Sequence, residues 1–349
     1  MDETIEIRPG EDLDIAALEP YLRERLPQSA GELEVRQFPG GHANLVYLLR
    51  FGTTEYVLRR PPHGPLPKGG HDMVREFRVL SRLYEHYALA PRAYLLCTDH
   101  AILGADFVIE ERRSGTIIRG PIPAAVADDP EKCRALGNNF IDTLADLHTV
   151  DYEAAGLHEL GKPDGYLQRQ FDGWCKRWEA AATDDRPEAA SYIAKLGATM
   201  PQSGAPGIVH NDFKFDNTIL DANDATKPIA VLDWDMCTIG DPLSDLGNVL
   251  ALWTDPGDPP PIGSSIMQTT HPGFPTRSEL VARYAAKTGR DCSQIAWYQA
   301  FNYFRYAVIA QQIYARFKRG QTQDARFAGL TFWVAALIER GIALAERAL

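Results

Sequence analysis

The amino-acid sequence predicts an α+β protein of two lobes, a small antiparallel β lobe with one helix followed by a large, mainly helical lobe. Three observations carry this expectation. Short strand-like runs separated by tight turn signals crowd the first third of the chain. Long stripes of helical spacing fill the remainder. The few strand-like runs of that second part sit beside an unusually dense group of polar residues.

The elements follow in order. LDIAALEPYLRERL (Leu13–Leu26) has helical spacing and predicts a leading helix over about residues 11–26. LEVRQF, LVYLLRF and EYVLRR read as three strands, divided by PGGHAN and GTT. Such short connections favour an antiparallel meander. After the loop PPHGPLPKGG, His71–Tyr87 places Met73, Phe77, Leu80 and Tyr84 on one helical face. RAYLLCTD and FVIEER complete a sheet of about five strands. The character changes near Glu111–Gly115, which divides the chain into lobes at 1–112 and 113–349. In PEKCRALGNNFIDTLADLHTV a stripe of Leu136, Phe140, Ile141, Leu144 and Leu147 marks a helix. YLQRQFDGWCKRWEAA, PEAASYIAKLGATM and two aromatic-rich stretches near the end are helical too. GIVH, NTIL and IAVLDW are the strand-like exceptions.

Composition bounds the function. Apolar residues make up 45% of the 349 and charged residues 24%, the balance of a globular protein. A net charge of -11 argues against a nucleic-acid partner and against an anionic membrane surface. It leaves a phosphorylated ligand open, because phosphate sites are built locally. Five scattered cysteines without a CxxC pair read as reduced thiols of a cytoplasmic protein. The acidic N-terminus lacks an apolar h-region, so no signal peptide is expected. No apolar run approaches the length needed to span a bilayer.

The polar group is VHNDFKFDN (Val209–Asn217), with the pattern H-x-D-x-x-x-x-N from His210 through Asp212 to Asn217. A second apolar run, IAVLDWD, ends in Asp233. These residue types suit phosphoryl transfer. That reaction needs a carboxylate to orient a hydroxyl and accept its proton, together with oxygen ligands for Mg²⁺. Asp212 suits the first role. Asn217 and Asp233 suit the second, since Mg²⁺ takes hard oxygen donors and keeps waters. Lys214 would bring positive charge to the transferred group, and His210 would hold the loop through backbone hydrogen bonds. Taken singly, each residue also fits an Asx turn or a helix cap. His42 and His71 lack metal-ligand spacing, so no zinc site is expected.

HNDFKFDN followed by LDWD resembles the catalytic loop and metal-binding segment of the protein-kinase-like fold. GDPLSDLG (Gly240–Gly247) narrows the resemblance to the aminoglycoside phosphotransferase-like family, over about residues 30–320. YVLRRPPHGPLPKGGHDMVREFRVL is similar to the members associated with acyl-CoA dehydrogenases. The resemblance implies a kinase using ATP and Mg²⁺, with a catalytic loop at 209–220, a metal segment at 229–247 and MgATP held by both lobes. It implies phosphate contacts from Gly40 and Gly41, and from Arg59, which stands where kinases carry Lys. Glu76 is the implied ion-pair partner of Arg59, and Glu110 and Arg112 are the implied hinge residues that offer backbone groups to adenine. Trp234 and Asp235 replace the last two residues of D-F-G, and Asp235 would reach acceptor or metal. Asp241 and Asp245 read as structural, starting a helix or tying down the loop. Among the aromatic stripe from Trp297 to Phe317, Tyr298, Asn302 and Arg305 are the polar candidates for a substrate contact.

The expected acceptor is a small-molecule hydroxyl compound, with a hydroxyacyl-CoA or hydroxy acid favoured by the subfamily resemblance. An aminoglycoside or other amino alcohol is the alternative. The basic KRW and RFKRG segments fit a CoA phosphate or a solvated face equally well. Arg59 and the missing D-F-G glycine fit a second class, a nucleotide-binding pseudokinase module. Retention of Asp212, Asn217 and Asp233 opposes it.

Overall fold

The computed structural model describes residues 4–39, 44–62, 72–260 and 267–349. Gly40, Gly41, His42 and His71 lie outside the described residues. In chain order the first elements are α1 (Ile15–Arg25), β1 (Leu33–Gln37), β2 (Leu45–Phe51), β3 (Thr54–Arg60), α2 (Met73–Leu83), β4 (Ala93–Cys97), α3 (His100–Leu103) and β5 (Phe107–Glu111). There follow β6 (Thr116–Ile117), α4 (Ala124–Ala127), α5 (Pro130–Thr149), α6 (Tyr166–Ala180), α7 (Pro187–Ala198), β7 (Gly207–Val209), β8 (Thr218–Leu220), β9 (Pro228–Val231) and β10 (Thr238–Gly240). The chain ends with α8 (Leu243–Leu252), α9 (Arg277–Thr288), α10 (Ile295–Lys318) and α11 (Leu330–Ala348). It forms two compact units.

The first unit is discontinuous: Met1–Gly115, Asp151–Leu160 and Ile229–Cys237. Its sheet has the order β1-β2-β3-β5-β4, antiparallel throughout. Alternation puts Leu49, Leu58, Phe107 and Ile109 into a core shared with Leu18 and Leu22 of α1. Asp14 starts α1 by accepting from the Ala17 amide. Between β3 and β4 runs α2, whose buried residues are Met73, Glu76, Val79, Leu80 and Leu83. The predicted face contained Phe77 and Tyr84, but both are only half-buried. The helix is turned so that a carboxylate, Glu76, enters the interior. Burying it needs a cation, and β3 supplies one.

The second unit comprises Thr116–Val150, Gly161–Pro228 and Thr238–Leu349. The predicted stripe of α5 is buried in full. Every residue of α8 is buried. It lies against α10, a helix of 24 residues that carries the aromatic stripe into the core. A Cβ on Gly247 would come within 2.6 Å of Tyr298 Cβ and 2.7 Å of its carbonyl carbon. That close approach requires glycine. α9 packs on α5, where Arg283 and Asp142 pair at 2.6 Å. β7 pairs antiparallel with β10, and β6 with β8.

One expectation needs correction. Ala325–Ala348, a 3-10 turn running into α11, is long and apolar enough to cross a membrane by length and composition, with an 18-residue window of mean hydropathy 1.5. Glu339 and Arg340 interrupt the run, which hid it from a search for uninterrupted apolar sequence. In the fold one face of α11, with Val334, Ile338, Gly341 and Ala345, is buried against its neighbours α10 and α7.

Candidate functional site

In the first unit the site is a charge cluster. Val57 stands opposite Glu110 and Arg59 opposite Val108 in the β3–β5 ladder, so strand alternation gives Arg59 and Glu110 one face of the sheet. Arg59 Nη2 lies 3.1 Å from Glu76 Oε1, and its Nε donates to Glu76 Oε2 at 3.2 Å. Nη2 also donates to Asp233 Oδ1 at 2.8 Å. The expected Arg59–Glu76 pair therefore forms, and Asp233 joins it. Glu110 is buried, and its Oε1 has no hydrogen-bond partner among the described residues.

One largely buried guanidinium thus faces several carboxylates. Burial opposes the Arg59 charge, but Glu76, Asp233 and Glu110 outweigh it and raise the guanidinium pKa. Burial pushes Glu76 well up, against the pull of Arg59. Burial is also the main cause that takes Glu110 up to about 7, with Arg59 opposing and Asp233 adding to the rise. Asp235 adds negative charge felt by Glu76.

Asp233 holds a left-handed backbone, φ 70, a conformation that Asp tolerates better than most residues. The fully buried Trp234 anchors the segment beside it. Its Nε1 donates to Val231 O at 2.8 Å, and its ring meets Tyr87 edge-on at 6.2 Å. Glu110 sits inside β5 with strands on both sides, and its carboxylate is buried. Arg112 follows the strand and lies over the Phe38 ring.

In the second unit the site is the loop after β7. Its residues alternate. Phe213 and Phe215 go inward against Phe140, with ring centroids 4.7 and 4.5 Å away. Asp212, Lys214 and Asn217 are half-buried. Both oxygens of Asp212 accept from Lys214 Nζ, at 2.9 and 2.8 Å. Asn217 Nδ2 donates to Asp212 O at 2.9 Å and to Asp212 Oδ2 at 2.8 Å. That use of the amide nitrogen leaves the carbonyl oxygen of Asn217 as its remaining side-chain acceptor. His210 is fully buried and accepts the Asp212 amide at Nδ1, 3.3 Å away. It supports the loop backbone, as expected.

Asp245, at the start of α8, clamps the loop. Its oxygens accept the His210 amide at 2.6 Å and the Asn211 amide at 2.8 Å. His148, which the sequence reading missed, contacts Asp245 Oδ2 at 3.3 Å and the Tyr284 hydroxyl at 2.7 Å. Burial works against the Asp245 charge, but His148 and His210 outweigh it and lower its pKa. No short motif marks His148: it lies far from the loop in sequence, inside an ordinary amphipathic helix.

Two of the proposed substrate contacts on α10 are otherwise engaged. Tyr298 donates to Asp241 Oδ2 at 2.7 Å, and Asn302 Nδ2 donates to the carbonyls of Ser244 and Tyr298. Both tie α10 to the start of α8. In RFKRG, Arg319 donates to the Ala180 and Ala182 carbonyls and Lys318 pairs with Asp184. These side chains cap the end of α6.

The fold and the loop chemistry define a phosphotransferase with an alcohol group as acceptor. The phosphotransferase enzyme family (APH) model matches residues 34–280, and the chain belongs to that family. Acyl-CoA dehydrogenase family member 11 of Rattus norvegicus is 33% identical over 99% of the chain. Family member 10 of Mus musculus is 33% identical over 88%. The chain spans 45% of the first and 29% of the second. A Ralstonia eutropha structure assigned as an aminoglycoside phosphotransferase is 30% identical, with a TM-score of 0.84 over 97% of this chain and 100% of that one. Choline kinase of Cryptosporidium parvum shares the fold at 12% identity, with a TM-score of 0.65 over 96% of each chain.

Proposed function

We propose that this small-molecule kinase transfers the γ-phosphate of ATP to the hydroxyl of an acyl compound, a hydroxyacyl-CoA or a related hydroxy acid. The observation that carries the reading is the setting of Asp212. His210 and Asn217 fix its backbone and Lys214 and Asn217 fix its carboxylate, as a base that must orient one hydroxyl requires. Asp212 would align the acceptor hydroxyl and take its proton. Lys214 would then carry charge toward the transferred group, and Arg59 would steady the nucleotide phosphates.

The donor chemistry fits Mg²⁺: the Asn217 carbonyl oxygen and the Asp233 carboxylate are hard oxygens, and waters would complete the shell. When bound, the metal would neutralise charge on the phosphates. Gly40 and Gly41 remain part of the proposal as phosphate-loop residues, and Glu110 and Arg112 as residues of the adenine segment. The acyl acceptor is supported by the likeness to acyl-CoA dehydrogenase family members across nearly the whole chain.

The test measures γ-phosphate transfer from MgATP to hydroxyacyl-CoAs, hydroxy acids, aminoglycosides and amino alcohols, with Asp212→Asn alongside. Transfer to an acyl acceptor should fall by roughly 10³-fold or more in the variant, with nucleotide affinity within a few-fold. Transfer only to amino compounds would sink the acyl assignment. MgATP binding without any transfer would favour a regulatory nucleotide-binding module.

A further inference from the structure

Arg305, in the middle of α10, is the remaining substrate-contact candidate of that helix. It is 8% exposed, yet no carboxylate lies within ion-pair distance among the described residues. Its Nη1 donates to Asn302 Oδ1 at 2.8 Å, and its buried Nε has no partner among the described residues. Beside it stands Trp174 of α6, 7% exposed, whose Nε1 is also buried without a partner among the described residues. The guanidinium lies 5.3 Å from the Trp174 ring centroid, and the exposed Arg177 lies 4.5 Å from the same centroid.

Two buried donors without acceptors are costly, and one of them is charged. Neither can be relieved by an amine, which brings only more donors and positive charge. What fits is an oxygen acceptor: a carboxylate or a polarised carbonyl. The place is close to the catalytic loop. Arg305 precedes Tyr306, whose hydroxyl donates to Asn248, and Asn248 in turn donates to the Phe213 carbonyl. Tyr166, whose hydroxyl donates to Asn211, lies within reach of the Arg305 charge.

We infer that Arg305, with Trp174, is the specificity determinant that receives the acyl oxygen of the acceptor and excludes amino alcohols. This rests on the proposed kinase reading and names the part of the acceptor that is recognised. In a free hydroxy acid the group received is the carboxylate; in an acyl-CoA it is the thioester carbonyl.

The experiment compares wild type, Arg305→Gln and Arg305→Lys by calorimetric binding, with a non-hydrolysable MgATP analogue present. The probes are short- and long-chain hydroxy acids, their CoA thioesters, and amino alcohols of matched length. KM and kcat are measured in parallel. The expected result is a roughly 10- to 100-fold weaker acyl affinity in Arg305→Gln, a smaller loss in Arg305→Lys, and MgATP affinity within twofold. A larger penalty for the free acid than for the thioester identifies the carboxylate as the natural partner. Should the Gln variant fail to fold, Arg305→Lys still loses the planar fork and must show the same selective loss. Unchanged acyl binding in the variants, equal loss for acyl and amino probes, or no acyl binding by wild type each overturns the inference. Asp212→Asn separates the two claims. If it abolishes transfer while Arg305 variants discriminate nothing, the kinase stands and the role of Arg305 falls. If it leaves transfer intact, the assignment of Asp212 falls instead.

Discussion

Glu110 illustrates how much one side chain's surroundings decide. Its folded pKa of about 7 stands above the ordinary 4.5, chiefly through burial. Folding therefore favours its protonated form. The contribution to stability is fully present below about pH 4.5 and is lost as pH rises through about 7. A rise of that size corresponds to roughly 3 kcal/mol once the group is ionised. Glu110→Gln keeps the shape of the protonated acid and removes the penalty. Urea unfolding at pH 5 and pH 8 should find variant and wild type similar at the lower pH, and the variant more stable by about 3 kcal/mol at the higher. An equal difference at both pH values would mean that Glu110 does not titrate in this window. The neighbouring Arg59 behaves differently: it stays charged, and its contacts with Glu76 and Asp233 hold the segment around Trp234 in place.

Helices and strands meet the site through a few tight contacts. At Gly247 the backbone of α10 lies so close to α8 that a methyl group would strike Tyr298 Cβ and main-chain atoms. Gly247→Ala should cost about 1–3 kcal/mol. Because Asp245 is on the same helix and grips the loop amides, transfer activity should fall as well. Thermal unfolding and kcat together check this, and a variant with wild-type stability would refute the packing argument. The strands, α1, α2 and α5 were legible from apolar period and turn residues, because each has one dry face. The exact buried face of α2 was not. Hydrophobicity pointed to Phe77 and Tyr84, and it took the Arg59 charge across space to draw Glu76 inward. The polar residues of the loop after β7 were legible because they are dense and regularly spaced. His148 and the orphan donors of Arg305 and Trp174 were not, since each depends on a neighbour remote in sequence.

At the scale of the molecule, the first unit draws on three separate stretches of chain. Its last piece brings Asp233, which accepts from Arg59, and Trp234, which packs on Tyr87. A fragment of residues 1–115 would leave Arg59 with one carboxylate fewer and would expose the aromatic surface that Trp234 covers. It should lack a cooperative thermal transition, which circular dichroism would reveal; a sharp transition would show that the sheet stands without its later pieces.

This interleaving governs the order of events during synthesis. Asp233 leaves the ribosome only after the preceding 232 residues of this chain. Translation at roughly 5–20 residues per second puts several seconds between the emergence of the sheet and the arrival of its final segment. During that interval Arg59 has Glu76 and Glu110 but not Asp233, and Trp234 has not yet reached Tyr87. The sheet of the first unit is therefore made well before the segment that completes that unit.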